Sequence, residues 1–175
     1  MGFRLIAGVK AGSSRILQRA ASGDDPRAQH QMAQRYIKGS GVQVQLTDAL
    51  KLLIKSAEAG YAPAQVDLGH FFRDGIIVQK HRIQAADWYG KAAKQGYADG
   101  LFLMGACYES GSGVPAYLPK AYGFYLLASA AGHPDAQNYI NSILPGMPDA
   151  QQASGIDFSH EYAQKHSFTW FEGNV

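Results

Sequence analysis

Chemistry has few places to start in this chain of 175 residues, which holds one cysteine and six histidines. Cys107 is the lone thiol, so no intramolecular disulfide can form, and the sequence neither requires nor excludes an oxidising compartment. A nucleophilic thiol needs a lowered pKa and a partner base. Cys107 instead sits in an apolar stretch beside Tyr108, where a small buried hydrophobe is expected. His30, His70, His81, His133, His160 and His166 show neither His-Glu-x-x-His nor another zinc-ligand spacing, so no metal and no cofactor is expected. Gly39-Ser-Gly41 and Gly111-Ser-Gly113 look like pieces of a phosphate loop, yet neither follows a strand pattern or continues into Gly-Lys-Ser/Thr. No Gly-x-Ser-x-Gly elbow is present, and no carboxylate pair is placed persuasively. The expectation is a chain that is not an enzyme.

Bulk properties narrow the class further. Apolar residues make up 46% and charged residues 17%, the balance of a folded protein rather than a disordered one. A net charge of +2 is too slight to imply a nucleic-acid partner. The charge is uneven, however: residues 1–60 carry nine Lys/Arg and four Asp/Glu, while residues 133–175 carry one Lys and five acids. Unlike ends of this kind steer a partner, support weak head-to-tail self-association, or simply reflect drift in solvated side chains. The brief apolar run Leu5–Val9 is shorter than a secretory signal, and no run approaches a membrane span. A cytoplasmic location is expected, or a periplasmic or secreted one if a leader is trimmed or a specialised secretion system is used.

The elements that must position these residues follow from a repeat. Shifting the chain by 36 residues aligns Ala28, Ala64, Gly100 and Ala136, then Met32, Leu68, Met104 and Ile140. Tyr36, Phe72 and Tyr108 form another column, as do Gly39, Gly75 and Gly111, and Gly60, Gly96 and Gly132 close the period. A fixed period of this size marks stacked repeats. Ala49, Leu52, Leu53, Ser56 and Ala57 lie at i, i+3, i+4, i+7 and i+8, one stripe of a helix, here termed helix B. The stripe recurs at Ala85, Trp88, Tyr89, Ala92 and Ala93 and again at Ala121, Phe124, Tyr125, Ala128 and Ser129; Trp88 and the tyrosines are read as packing. Helix A precedes each Gly39-like stop, and a loop of about seven residues leads into helix B.

One helix pair cannot bury both its faces, so pairs must stack. The period gives a single repeat domain over 1–175: an N-terminal helix at 11–22, full repeats at 24–60, 61–96 and 97–132, and a partial repeat with a C-terminal cap at 133–175. A helix-A-like piece at 134–144 ends at Pro145-Gly146, and Pro148 opens a last helix to about His166, a reading that Gly155 weakens. The aromatic tail Phe168-Thr169-Trp170-Phe171 is expected to pack back on the cap.

Tyr97-Ala-Asp-Gly-Leu-Phe-Leu-Met-Gly-Ala-Cys-Tyr108, Gly111-Ser-Gly-Val114, Ala85-Ala-Asp-Trp-Tyr-Gly-Lys-Ala-Ala-Lys-Gln-Gly96 and Gly39-Ser-Gly-Val42 resemble the Sel-one-like repeat (SLR) family, a cousin of the tetratricopeptide repeat. The resemblance covers about residues 15–144. It implies an all-α fold, a right-handed α/α superhelix or solenoid, with helix A lining a concave surface for a protein or peptide. Members of the family often serve as adaptors in bacteria. Three features depart from the family pattern. Gly75-Ile-Ile-Val78 replaces Gly-x-Gly-Val and implies a stiffer loop; Gly23-Asp-Asp-Pro26 carries an extra residue; and the Cys pair per repeat of the disulfide-rich branch, for which penicillin binding has been proposed, is missing.

On that reading, helix-A residues off the core stripe are the candidate partner contacts: Arg27, His30, Gln34, Val66, His70, Arg73, Phe102 and Glu109. His30 and His70 are expected to be exposed, His133 to be structural, and Phe102 to be an exposed anchor between polar neighbours. Val66 and Phe102 have inter-repeat packing as their alternative. The expected function is a non-enzymatic protein–protein interaction module or adaptor. The alternatives are an inhibitor such as an immunity protein for a bacterial toxin or enzyme, and a cell-wall or β-lactam-related hydrolase.

Overall fold

The computed structural model describes residues 21–170. Eight helices run from Pro26 to Lys165, and no strand occurs among the described residues. They are α1 (Pro26–Lys38), α2 (Leu46–Glu58), α3 (Ala62–Asp74), α4 (Arg82–Ala93), α5 (Ala98–Ser110), α6 (Leu118–Ala130), α7 (Ala136–Ile143) and α8 (Asp149–Lys165), with a 3-10 turn at Leu144–Gly146. Helices α1, α3, α5 and α7 are the A type, and α2, α4 and α6 the B type. The N-terminal piece expected at 11–22 falls almost wholly outside the described residues.

Local signals set the helix ends. Asp25 caps α1 by accepting the Arg27 N–H at 2.9 Å, and Pro26 fills the first helical position, where no N–H is needed. Gly39 and Gly111 stop α1 and α5 with φ of 67° and 70°, a left-handed turn that a Cβ would strain. Each A–B loop is closed by an equivalent backbone bond: Gln45 N–H to Tyr36 C=O (3.0 Å), His81 to Phe72 (2.8 Å) and Tyr117 to Tyr108 (2.9 Å). The Gly75-Ile-Ile-Val78 loop keeps its siblings' backbone: Ile77 adopts φ 53° where Gly41 has 75° and Gly113 has 81°. The departure is one of side chain and strain, not of path.

The described residues divide into two compact units, the first ending at Leu68 and the second beginning at Gly69, so that the boundary falls within α3. In the first, α1 and α2 form a hairpin whose shared face buries Met32, Ala33, Ala49, Leu53 and Ala57. Ser56 is wholly buried and donates to the Pro26 carbonyl at 2.5 Å, so its hydroxyl leaves no unmet polar group in the seam.

In the second unit one cluster joins Ala86, Tyr89, Leu101, Met104, Phe124 and Leu127, and another joins Ala121, Tyr125, Ile140, Ile143 and Met147. Its helix pairs interlock by size. A Cβ on Gly69 would lie 2.3 Å from the Tyr89 ring, and one on Gly105 would lie 2.6 Å from Tyr125. The same columns in the first unit hold Ala33 and Leu53. Where helix A has a methyl, helix B has leucine; where it has only hydrogen, a tyrosine fills the space.

Helix α8 packs on α6 as the cap. Gly155 permits this: a Cβ there would meet the Pro119 carbonyl oxygen at 2.7 Å, so the residue that weakens the helix also lets it approach. Phe158 and Tyr162 set their rings against Phe124, each pair with centroids 5.0 Å apart. The tail folds back as far as Trp170: Phe168 is buried in the same cluster and stacks on Trp170 at 5.0 Å. Phe171 lies outside the described residues.

Candidate functional site

The A-type helices carry polar groups that neighbouring helices hold in place, an A-type helix in the first unit and B-type helices in the second. In the first unit, His30 Nε2 lies 2.7 Å from Asp67 Oδ2, Gln34 Nε2 donates to the same oxygen, and Tyr61 meets the His30 ring edge-on at 5.3 Å. The His30 side chain is only 15% exposed, which corrects the expectation of an exposed residue: Asp67 and Tyr61 cover it. Nothing in the spacing marked Asp67, whose column holds Leu103 one period later. Arg27 is exposed on the first turn of α1. Val66 is buried (6% exposed) and belongs to the core, not to a contact face.

In the second unit the tyrosines of helix B thread past the glycines of helix A and bring their hydroxyls to its polar side. Tyr89 hydrogen-bonds with His70 Nδ1 at 2.9 Å, so His70 is half-buried rather than exposed. Tyr125 donates to Glu109 at 2.5 Å. Arg73, one period before Glu109, forks onto Asp74 through Nε and Nη2, both at 2.8 Å. That bond holds the Asp74 carboxyl below its ordinary pKa and raises that of Arg73. Burial pushes both tyrosine hydroxyls well above their usual range; Arg73 opposes the shift at Tyr89, and Glu109 adds to it at Tyr125.

Phe102 is not an isolated exposed anchor. It is half-buried, stacked on His133 at 4.0 Å and 7°, with Tyr139 edge-on at 4.9 Å and Tyr125 tilted at 5.5 Å. Tyr125 comes from helix B of the same repeat and His133 and Tyr139 from the segment that follows it, so spacing within α5 gave no sign of them. His133 is structural, as expected, with Nε2 3.8 Å from Asp99. Tyr139, 40% exposed, forms the outer edge of this aromatic cluster. Trp88 is half-buried, and Lys91 Nζ lies 3.4 Å over its ring.

The lone thiol is not activated. Cys107 is 6% exposed, and burial pushes its thiol up to about 11, so thiolate is scarce near neutral pH. Among the described residues no group of three or more His, Cys, Asp or Glu is placed to hold a metal. None of their helices is long and apolar enough to cross a membrane. A cavity of about 500 Å³ beside α1 and α2 is lined by Met32, Tyr36 and Leu52, with Asp48, Lys51 and Lys55 at its edge. Met32, Tyr36 and Leu52 occupy the columns of Met104, Tyr108 and Phe124, which are packing positions in the second unit.

Known proteins place this pattern. The model of the Sel1 repeat matches residues 26–61, 62–97 and 98–133. A Sel1 repeat protein from Oxalobacter formigenes is 30% identical with a TM-score of 0.68, over 73% of this chain and 96% of that one. A protective antigen of uropathogenic Escherichia coli displaying an SLR fold is 27% identical with a TM-score of 0.75, over 91% of this chain but 34% of its own. Cysteine rich protein B of Helicobacter pylori shares the fold at 24% identity and a TM-score of 0.55, over 67% of this chain and 98% of that one. Comparison with curated proteins found no match. With three consecutive repeats matched, over most of its length, the chain belongs to the Sel1 repeat family and has that family's all-α solenoid fold.

Proposed function

We propose that the chain is a non-enzymatic interaction module that binds a protein or peptide through its A-type helices. Sel1 repeat proteins generally mediate protein–protein interaction, which supports the reading. The observation that carries it is the fixing of helix-A polar groups before any partner arrives. Asp67 holds His30 and Gln34, Tyr89 holds His70, and Tyr125 holds Glu109. Side chains already ordered lose less entropy on binding, so each contact contributes more of its energy to affinity. Arg27 adds charge in the first unit, and Arg73 and the Phe102–Tyr139 cluster add charge and aromatic surface in the second.

The test is site-specific photo-crosslinking in the native cell, with the reactive residue at position 73, 109 or 139 and, for comparison, at Glu58 or Asp87 on B-type helices. The same protein partner should be trapped from the helix-A positions and not from the others. Trapping only from positions 58 and 87, or none at any site, would contradict the assignment.

A further inference from the structure

Arginines stand together at one place in the repeat where the sibling repeats have none. Arg73 falls in a column that otherwise holds Ile37 and Glu109, and Arg82 in one that holds Leu46 and Leu118. Both line a cavity of about 140 Å³ walled by α3, α4 and α5, with Tyr89, Cys107, Ser110 and Ser112. The cavity has a steric origin: Cys107 stands where the preceding repeat has Phe71, and Ala106 where it has His70. Smaller side chains leave volume that a phenyl ring would fill. No carboxylate lines it.

We propose that this cavity takes one carboxylate, carried on an acidic side chain or chain end of the protein partner. The inference rests on the interaction-module reading for the source of that group, and on the cavity alone for its chemistry. Guanidinium groups present planar forks of N–H donors that match a carboxylate. Arg73 already shares its Nε and Nη2 with Asp74, so two guanidiniums less one carboxylate leave a single positive charge. That balance fits a monoanion better than the dianion of a phosphate. The volume accommodates a carboxylate with its methylene. The buried, neutral Cys107 thiol and the Tyr89 ring form an apolar wall, beside which charge–charge attraction is less screened than in bulk water.

The test is a titration of the ¹⁵N-labelled full chain with acetate and, separately, with inorganic phosphate, at constant ionic strength and neutral pH. Acetate should give saturable shifts confined to the Ser110–Ser112 amides and the Arg73 Nε–H. Arg82→Gln should weaken acetate about tenfold, the loss expected for a charged hydrogen bond, while Lys38→Gln leaves it unchanged. Cys107→Phe, which restores the ring of the preceding repeat, should abolish the shifts while the far-UV spectrum stays helical. Phosphate binding more tightly than acetate overturns the carboxylate assignment, and shifts spread over every basic site overturn the cavity. A partner trapped from helix A by a protein whose cavity ignores acetate removes this inference and keeps the module. Acetate binding with no partner trapped keeps the site and removes the module.

Discussion

At the scale of the residue, Ile77 shows how the repeat imposes backbone geometry on a side chain that resists it. A β-branched residue at φ 53° bears a left-handed penalty of about 1–2 kcal/mol. Its side chain is 49% exposed, so little burial offsets that cost. Ile77→Gly should therefore raise the unfolding free energy by about 0.5–1 kcal/mol after the extra chain entropy of glycine is deducted. Urea unfolding measures it, and a destabilised variant would show that Ile77 makes contacts worth more than its strain. Cys107 makes the second residue-level prediction. Its thiol is favoured neutral in the fold, so its contribution is complete below the unfolded value near 9 and is lost as pH rises toward about 11. Stability should fall over that window, less steeply between pH 9 and 10 in Cys107→Ala. Thiol reagents should label the native protein far more slowly than the unfolded one; equal rates would contradict the burial.

Elements are held in register by size matching across each hairpin. Gly105→Ala pushes a methyl against the Tyr125 ring and should cost about 1–3 kcal/mol, despite the better helix propensity of alanine. Tyr125→Leu alone loses a buried ring and the bond to Glu109. Combined, the two recreate the Ala33–Leu53 pair of the first unit, so the double variant should be more stable than the sum of the single changes by about 1–3 kcal/mol. Strict additivity in a double-mutant cycle would contradict this account of the packing.

Much of the element level was legible in the sequence, because helix stripes and glycine stops are properties of single segments. The seven-residue loops, the turn at Pro145-Gly146 and the cap from Pro148 are all present. The site was less legible, because exposure depends on what a neighbouring element brings. Within α5, Phe102 lies off the core stripe, and only the following repeat supplies His133 and Tyr139 to cover it. His30 and His70 were misjudged for the same reason, since Asp67 and Tyr89 reach them from other helices.

At the scale of the whole molecule, α1–α6 repeat one helix–loop–helix pattern, and the proposed recognition role depends on that equivalence. Corresponding columns put Arg73 and Glu109 at one structural position with opposite charge, and put tyrosine hydroxyls beside each. A repeat scaffold varies recognition in this way, by changing side chains at fixed positions while the packing columns hold the backbone. The central claim is therefore that 36 residues form the structural unit. Removing residues 62–97 joins Tyr61 to Ala98 just as Tyr97 joins it now, whereas removing 62–91 throws the first repeat out of register with everything that follows. Circular dichroism with thermal unfolding of the two deletions tests the claim most directly. The 36-residue deletion should keep the helicity per residue and unfold cooperatively, at lower stability, while the 30-residue deletion should lose both. Equal tolerance or equal collapse of the two would contradict the account.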